Sequence, residues 1–147
     1  ANGTPLDPIV FTSANDQSGL TPAAGDWGAL LLGSGAGNSL LRHVFVKYAA
    51  GLVVSNCAPT VDAFTALYNT PAGLTLRGSA SLTTSNALLA LNDIGAEQLG
   101  TGAFVAVNSD LKNNGTNALA SGGGRSGSRG TRARRSSSSS SRRERSE

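Results

Sequence analysis

Residues 51–78 read GLVVSNCAPTVDAFTALYNTPAGLTLRG, and the segment starts and ends on the same motif. Gly51-Leu-Val-Val-Ser-Asn56 opens it, and Gly73-Leu-Thr-Leu-Arg-Gly78 closes it. A third start, Gly102-Ala-Phe-Val-Ala-Val-Asn108, follows after a somewhat longer interval. Each start runs into a small polar cluster and then, in the first two cases, into a second run, VDAFTALYN (61–69) and LTTSNALLALND (82–93). A period of about 20 to 30 residues, built from short apolar runs and tight turns, predicts a solenoid. One coil has no partner for its apolar side chains, whereas stacked coils shield one another and pair their backbone groups above and below.

Working outward, PIVF (8–11), ALLL (29–32), HVFVKY (43–48) and AFVAV (103–107) are equally short and end at Gly, Asn, Ser or Asp. That is the pattern of strands and turns. The segment SNALLALNDIGAEQLG (85–100) fits one helix or a strand, turn and strand, and its internal Asn and Gly favour the second. With 147 residues, 19 Gly, 5 Pro and 14% charged residues, the chain has room for one modest, turn-rich domain. Its single Cys57 excludes an internal disulfide and a Cys-based zinc site, and is read as a small filler. No run reaches the roughly 18 apolar residues of a membrane span, and the first residues lack the basic start and apolar core of a secretory signal. The chain therefore reads as soluble and as the continuation of a longer precursor.

The formal charge of +3 conceals two unlike parts. Residues 1–119 carry four basic and seven acidic side chains, a net of −3, and form the expected domain. Residues 120–147 carry eight Arg and two Glu, a net of +6, with no aliphatic side chain larger than Ala. Such a composition buries too little to offset the entropy of ordering it, so this part is expected to be a disordered tail.

Three segments, DPIVFTSAND (7–16), PAAGDWGALLLGSGAGNSLLRHVFVKYA (22–49) and GLVVSNCAPTVDAFTALYNTPAGLTLRG, together resemble the right-handed parallel β-helix repeats of bacterial secreted and cell-surface proteins, including those with a pectate-lyase-like fold. GDWG (25–28) and LLRHVFVKYA (40–49) carry most of that resemblance, which spans about residues 5–119. Against the family pattern, Ala29 stands where a second Gly is usual, Phe64-Thr-Ala-Leu-Tyr68 replaces a polar turn, and residues 92–102 read as a longer loop. The resemblance implies an exported, secreted or cell-surface protein; a solenoid of a few coils, truncated here, would leave its last coil uncapped and open to self-association through residues 103–119.

Parallel β-helices host lyases and glycoside-cleaving enzymes as well as adhesins and repeats without activity, so fold alone does not choose. Polysaccharide cleavage needs convergent groups: paired carboxylates, or acidic calcium ligands beside a basic proton acceptor. Here the carboxylates are spread singly, no phosphate loop, HExxH or GxSxG occurs, and the one histidine builds neither a metal pair nor a triad. The expectation is a non-catalytic scaffold or glycan-contacting module, without cofactor or metal. As an alternative, a fragment of a polysaccharide-active enzyme would use Asp62, Arg77 and Asp93 on one outer face; their plainer role is as turn and surface residues. A third possibility is contact between the Arg/Ser tail and nucleic acid or another anionic surface through phosphate groups, against the favoured reading of the tail as a flexible linker or an out-of-register translation of the coding sequence. His43 and Tyr48 are read as structural, with His43 at a bend. Gly25, Asp26, Trp27 and Gly28 form an expected N-terminal clasp. In it Gly25-Asp26 turns the chain, Gly28 permits close backbone passage, and the indole covers the first coils.

Overall fold

A computed structural model describes residues 1–120, and within them the chain is entirely β. The expectations for the tail lie outside the described residues, except that Ala120 belongs to the last strand and moves the end of the domain just beyond 119. Twelve strands form about four turns of a parallel solenoid: β1 (Ile9–Phe11), β2 (Leu30–Leu32), β3 (Leu40–Lys47), β4 (Leu52–Ser55), β5 (Thr60–Leu67), β6 (Ala72–Gly78), β7 (Leu82–Ser85), β8 (Leu88–Ala90), β9 (Ile94–Gly100), β10 (Phe104–Val107), β11 (Asp110–Lys112) and β12 (Thr116–Ala120).

Each coil has three straight segments. The first face stacks the opening residues of β3 and β5 with β7 and β10; the second stacks β1, the later residues of β3 and β5, β8 and β11. The third is a five-stranded sheet in the order β2-β4-β6-β9-β12. On that face Leu30, Leu52, Leu74, Ala96 and Ala118 form one column, each paired directly with the next. The interior is a single cluster in which Leu52, Val54, Phe64, Leu74, Leu76, Leu82 and Leu89 are almost wholly buried.

Between straight segments the chain turns on single residues with positive φ. His43, Ala63, Asn86 and Asn108 make the first bend, Tyr48, Tyr68, Leu91 and Asn113 the second, and Asn56 and Gly78 the third, all with φ between 48° and 61°. One left-handed residue redirects a strand without breaking the pairing on either side, and Asn tolerates this conformation better than other residues with a Cβ. Four of the asparagines that interrupt the apolar runs, Asn56, Asn86, Asn108 and Asn113, are thus bends.

The third coil differs from the sequence expectation. Gly95, rather than Gly102, continues the column of Gly51 and Gly73, because Leu74 pairs with Ala96. Gly102 lies in the bend between β9 and β10, packed onto the Ala80 carbonyl. Residues 94–100 are a strand rather than part of a loop, and 85–100 forms strand, turn and strand. Phe64–Leu67 is likewise strand, with the Phe64 ring in the core.

Candidate functional site

The second bend organises the most polar part of the interior. Asn69, Asn92 and Asn114 follow that bend in successive coils and stack into a ladder. Asn69 Nδ2 donates to Asn92 Oδ1 at 2.9 Å, and Asn92 Nδ2 to Asn114 Oδ1 at 3.0 Å. The same side chains reach back, donating to the carbonyls of Val46, Ala66 and Leu89. Their oxygens accept the backbone N–H of Ala49, Asn69 and Asn92 from the preceding coil. A turn enclosed by neighbouring coils has backbone groups that water does not reach, and the ladder satisfies them. The ladder also crowds two members of the glycine column, Gly73 and Gly95. A Cβ at Gly73 would come within 2.8 Å of Asn92 Nδ2, and one at Gly95 within 2.8 Å of Asn114 Nδ2.

Outside the ladder, the same corner carries the rings of Tyr48 and Tyr68. They stack with centroids 5.3 Å apart and planes 7° from parallel, and Tyr68 is 40% exposed. Lys47 Nζ lies 5.6 Å from the Tyr48 centroid and forms an ion pair with Asp16 Oδ2 at 2.6 Å. One coil along, Thr70 donates a hydrogen bond to Asp93. The corner thus brings two stacked tyrosine rings together with the Lys47–Asp16 ion pair and the Thr70–Asp93 hydrogen bond.

The three residues of the enzymatic alternative do not converge. Asp62 stands just before the first bend, Asp93 just after the second, and Arg77 just before the third. Two of them are committed to neighbouring coils: Asp62 accepts from Ser85 Oγ at 2.7 Å and Asn86 Nδ2 at 3.1 Å and pairs with Arg42 Nε at 3.3 Å, and Asp93 accepts from Thr70. These are mainly side-chain contacts between coils, in place of the expected turn N–H contacts. His43 occupies a bend with φ 48°. Cys57 is half-buried, with its thiol 3.4 Å from the Leu32 carbonyl oxygen. Among the described residues no group of three or more His, Cys, Asp and Glu side chains is placed to share a metal.

The GDWG segment closes the N-terminal side of the same corner. Gly25 has φ 81°, and Asp26 Oδ2 accepts from Ser13 Oγ at 2.6 Å, from Ala23 N at 3.1 Å and from Asn15 Nδ2 at 3.2 Å. Trp27 pairs with Ala49 across the coils, donates from Nε1 to the Lys47 carbonyl at 2.8 Å, and packs against the core. Its indole N–H thus donates to the coil that follows, whereas the asparagine amides reach back to the coil before. Gly28 differs from expectation: apart from its chain neighbours, nothing lies within 4 Å of a Cβ placed there. Replacing Trp27 by alanine is expected to cost about 2–3 kcal/mol, since a half-buried indole and one hydrogen bond are lost. Thermal melts of Trp27→Ala check this; an unchanged midpoint would remove Trp27 from the clasp.

Three carboxyls are held below their ordinary range: Asp16 by hydrogen bonds from Lys47 and then Thr12, Asp26 by Ser13 and the Ala23 N–H, and Asp62 by Ser85 and Asn86. Folding therefore favours their ionised forms. The contribution is complete at pH values above the unfolded carboxylate range and is lost as pH falls through the lowered folded values. The melting temperature is expected to be flat near neutrality and to drop below about pH 4. A pH series of melts should also show a shallower drop in Asp26→Asn.

Comparison with protein-family models, with curated proteins and with solved structures finds no match. The ladder and the tyrosine pair are what the sequence reading missed. Their signal is the recurrence of Asn69, Asn92 and Asn114, and of Tyr48 and Tyr68, at intervals close to one coil.

Proposed function

We propose that this chain is a non-catalytic β-solenoid module of an exported bacterial protein, a scaffold whose outer corner at Tyr48 and Tyr68 contacts a surface glycan. The observation that carries this reading is the distribution of polar groups. Asp62, Arg77 and Asp93 occupy three different bends, and the carboxylates of Asp16, Asp26, Asp62 and Asp93 are spent on partners in the fold. A cleaving enzyme needs such groups free and convergent. The exposed ring of Tyr68, stacked on Tyr48, suits the apolar face of a sugar.

The test is affinity electrophoresis of the full chain through gels containing polygalacturonate or neutral polysaccharides, with product release assayed in parallel. Retardation that weakens in Tyr68→Ala, at an unchanged melting temperature and without cleavage products, supports the reading. Specific release of unsaturated or reducing ends would replace it with the enzymatic one. Loss of any polyanion binding on deletion of residues 121–147 would assign that binding to the tail.

A further inference from the structure

The two ends of the solenoid are complementary. At the C-terminal end, β12 is the edge of the third face, with every residue exposed, and β11 pairs only with β8. Beside that edge lies a mainly apolar cavity lined by Leu76, Ala96, Phe104, Ala118 and Leu119, with Glu97 also on its wall. Gln98 borders it, only 5% exposed: its amide donates to the Gly102 carbonyl while Oε1, buried, has no partner. At the N-terminal end, β2 is the opposite edge of the same face and β1 is an edge of the second. An apolar mouth there is lined by Phe11, Leu30, Leu32, Leu40 and Leu41.

The opposing charge lies in the tail. Residues 1–41 contain Asp7, Asp16 and Asp26 and no Lys or Arg; residues 93–119 are also acidic, with Asp93, Glu97 and Asp110 against Lys112; residues 120–147 carry a net +6. The segment after Ala120 holds no aliphatic residue larger than Ala, so it has no side chains with which to fill the terminal cavity. A second copy does: its first coil carries the required leucines on strands already in the right faces, and its charge opposes that of the tail.

We propose that the chain associates head to tail, the N-terminal coil of a second copy stacking on the C-terminal coil of the first. β2 of the second copy extends the third face beside β12, and β1 extends the second beside β11, in the parallel sense of the existing coils. Two C-terminal ends meeting would instead bring two tails of like charge together. A head-to-tail contact of this kind does not close, so it propagates into open chains.

The experiment is sedimentation velocity and light scattering on the full chain over a range of concentrations, with two edge variants. Leu32→Lys places a charge in the N-terminal mouth and Ala118→Lys one in the C-terminal cavity; both blunt an edge. The wild type is expected to gain mass continuously with concentration, past the dimer. Each variant alone is expected to remain a monomer, and an equimolar mixture to form a dimer and nothing larger, because each supplies the end that the other lacks. A wild type that stays monomeric throughout overturns the proposal whatever the variants do. So does a dimer of Leu32→Lys alone, which would mean that two C-terminal ends meet. None of these outcomes depends on glycan binding, so this proposal and the proposed function fail separately.

Discussion

Asn92→Ala is expected to cost about 3–5 kcal/mol, a large share of the stability of a domain this size. Asn92 is 4% exposed and sits on the middle rung. Its oxygen accepts both the backbone N–H and the Nδ2 of Asn69, and its own amide serves the Ala66 carbonyl and Asn114. Truncation leaves buried donors and acceptors on both neighbouring coils without partners, and each such group costs on the order of 1–3 kcal/mol. The contributions do not add fully, because the rungs polarise one another. Equilibrium urea unfolding measures the loss. Asn15→Ala, which removes only an exposed hydrogen bond to Asp26, is the comparison and should change stability by about 0.5 kcal/mol or less. A loss below about 1 kcal/mol in Asn92→Ala would mean that water replaces the amide and that the ladder is not a principal support.

Gly51→Ala is expected to cost more than about 3 kcal/mol, by a different mechanism. Gly51 leads into β4 with φ 87°, where a side chain is strained, and a Cβ there would overlap the carbonyl of Ala72 in the next coil. The obstacle is backbone held by the pairing of β4 with β6, so it cannot swing aside as a side chain would. Relief requires the two coils to part, which breaks the register of the third face. Gly28→Ala provides the contrast. It introduces no contact with other segments and should lie within about 0.5 kcal/mol of wild type. Equal effects at the two positions would show that the glycines act through the unfolded chain rather than through coil spacing.

These two substitutions also mark how far the chain can be read without coordinates. Gly51 and Gly73 stand one repeat apart, and with the short apolar runs they announce stacked coils of strands. Gly95 is inconspicuous because Ala-Glu-Gln follows it, where GLVV and GLTL place branched side chains directly after the glycine. Its strand forms because coils on both sides supply hydrogen-bond partners in register, a context that outweighs weak local propensity. The asparagines are legible as turn residues. That Asn56, Asn86, Asn108 and Asn113 hold left-handed bends while Asn69, Asn92 and Asn114 point inward is decided by which side of the bend each occupies.

What the amino-acid order settles unaided is therefore the class of fold and the division between an acidic body and a basic tail. Each follows from local patterns: apolar spacing and charge counts. Only the tertiary structure decides the register of the later coils, the asparagine ladder, the stacking of Tyr48 on Tyr68, and the dispersal of Asp62, Arg77 and Asp93 over three bends. Those depend on which residues lie directly above one another. Leu40 pairs with Thr60, Leu52 with Leu74 and Thr65 with Leu88, so the advance per coil differs from one stretch to another. No single period in the sequence fits all three, and a slip by one position exchanges an inward side chain for an outward one.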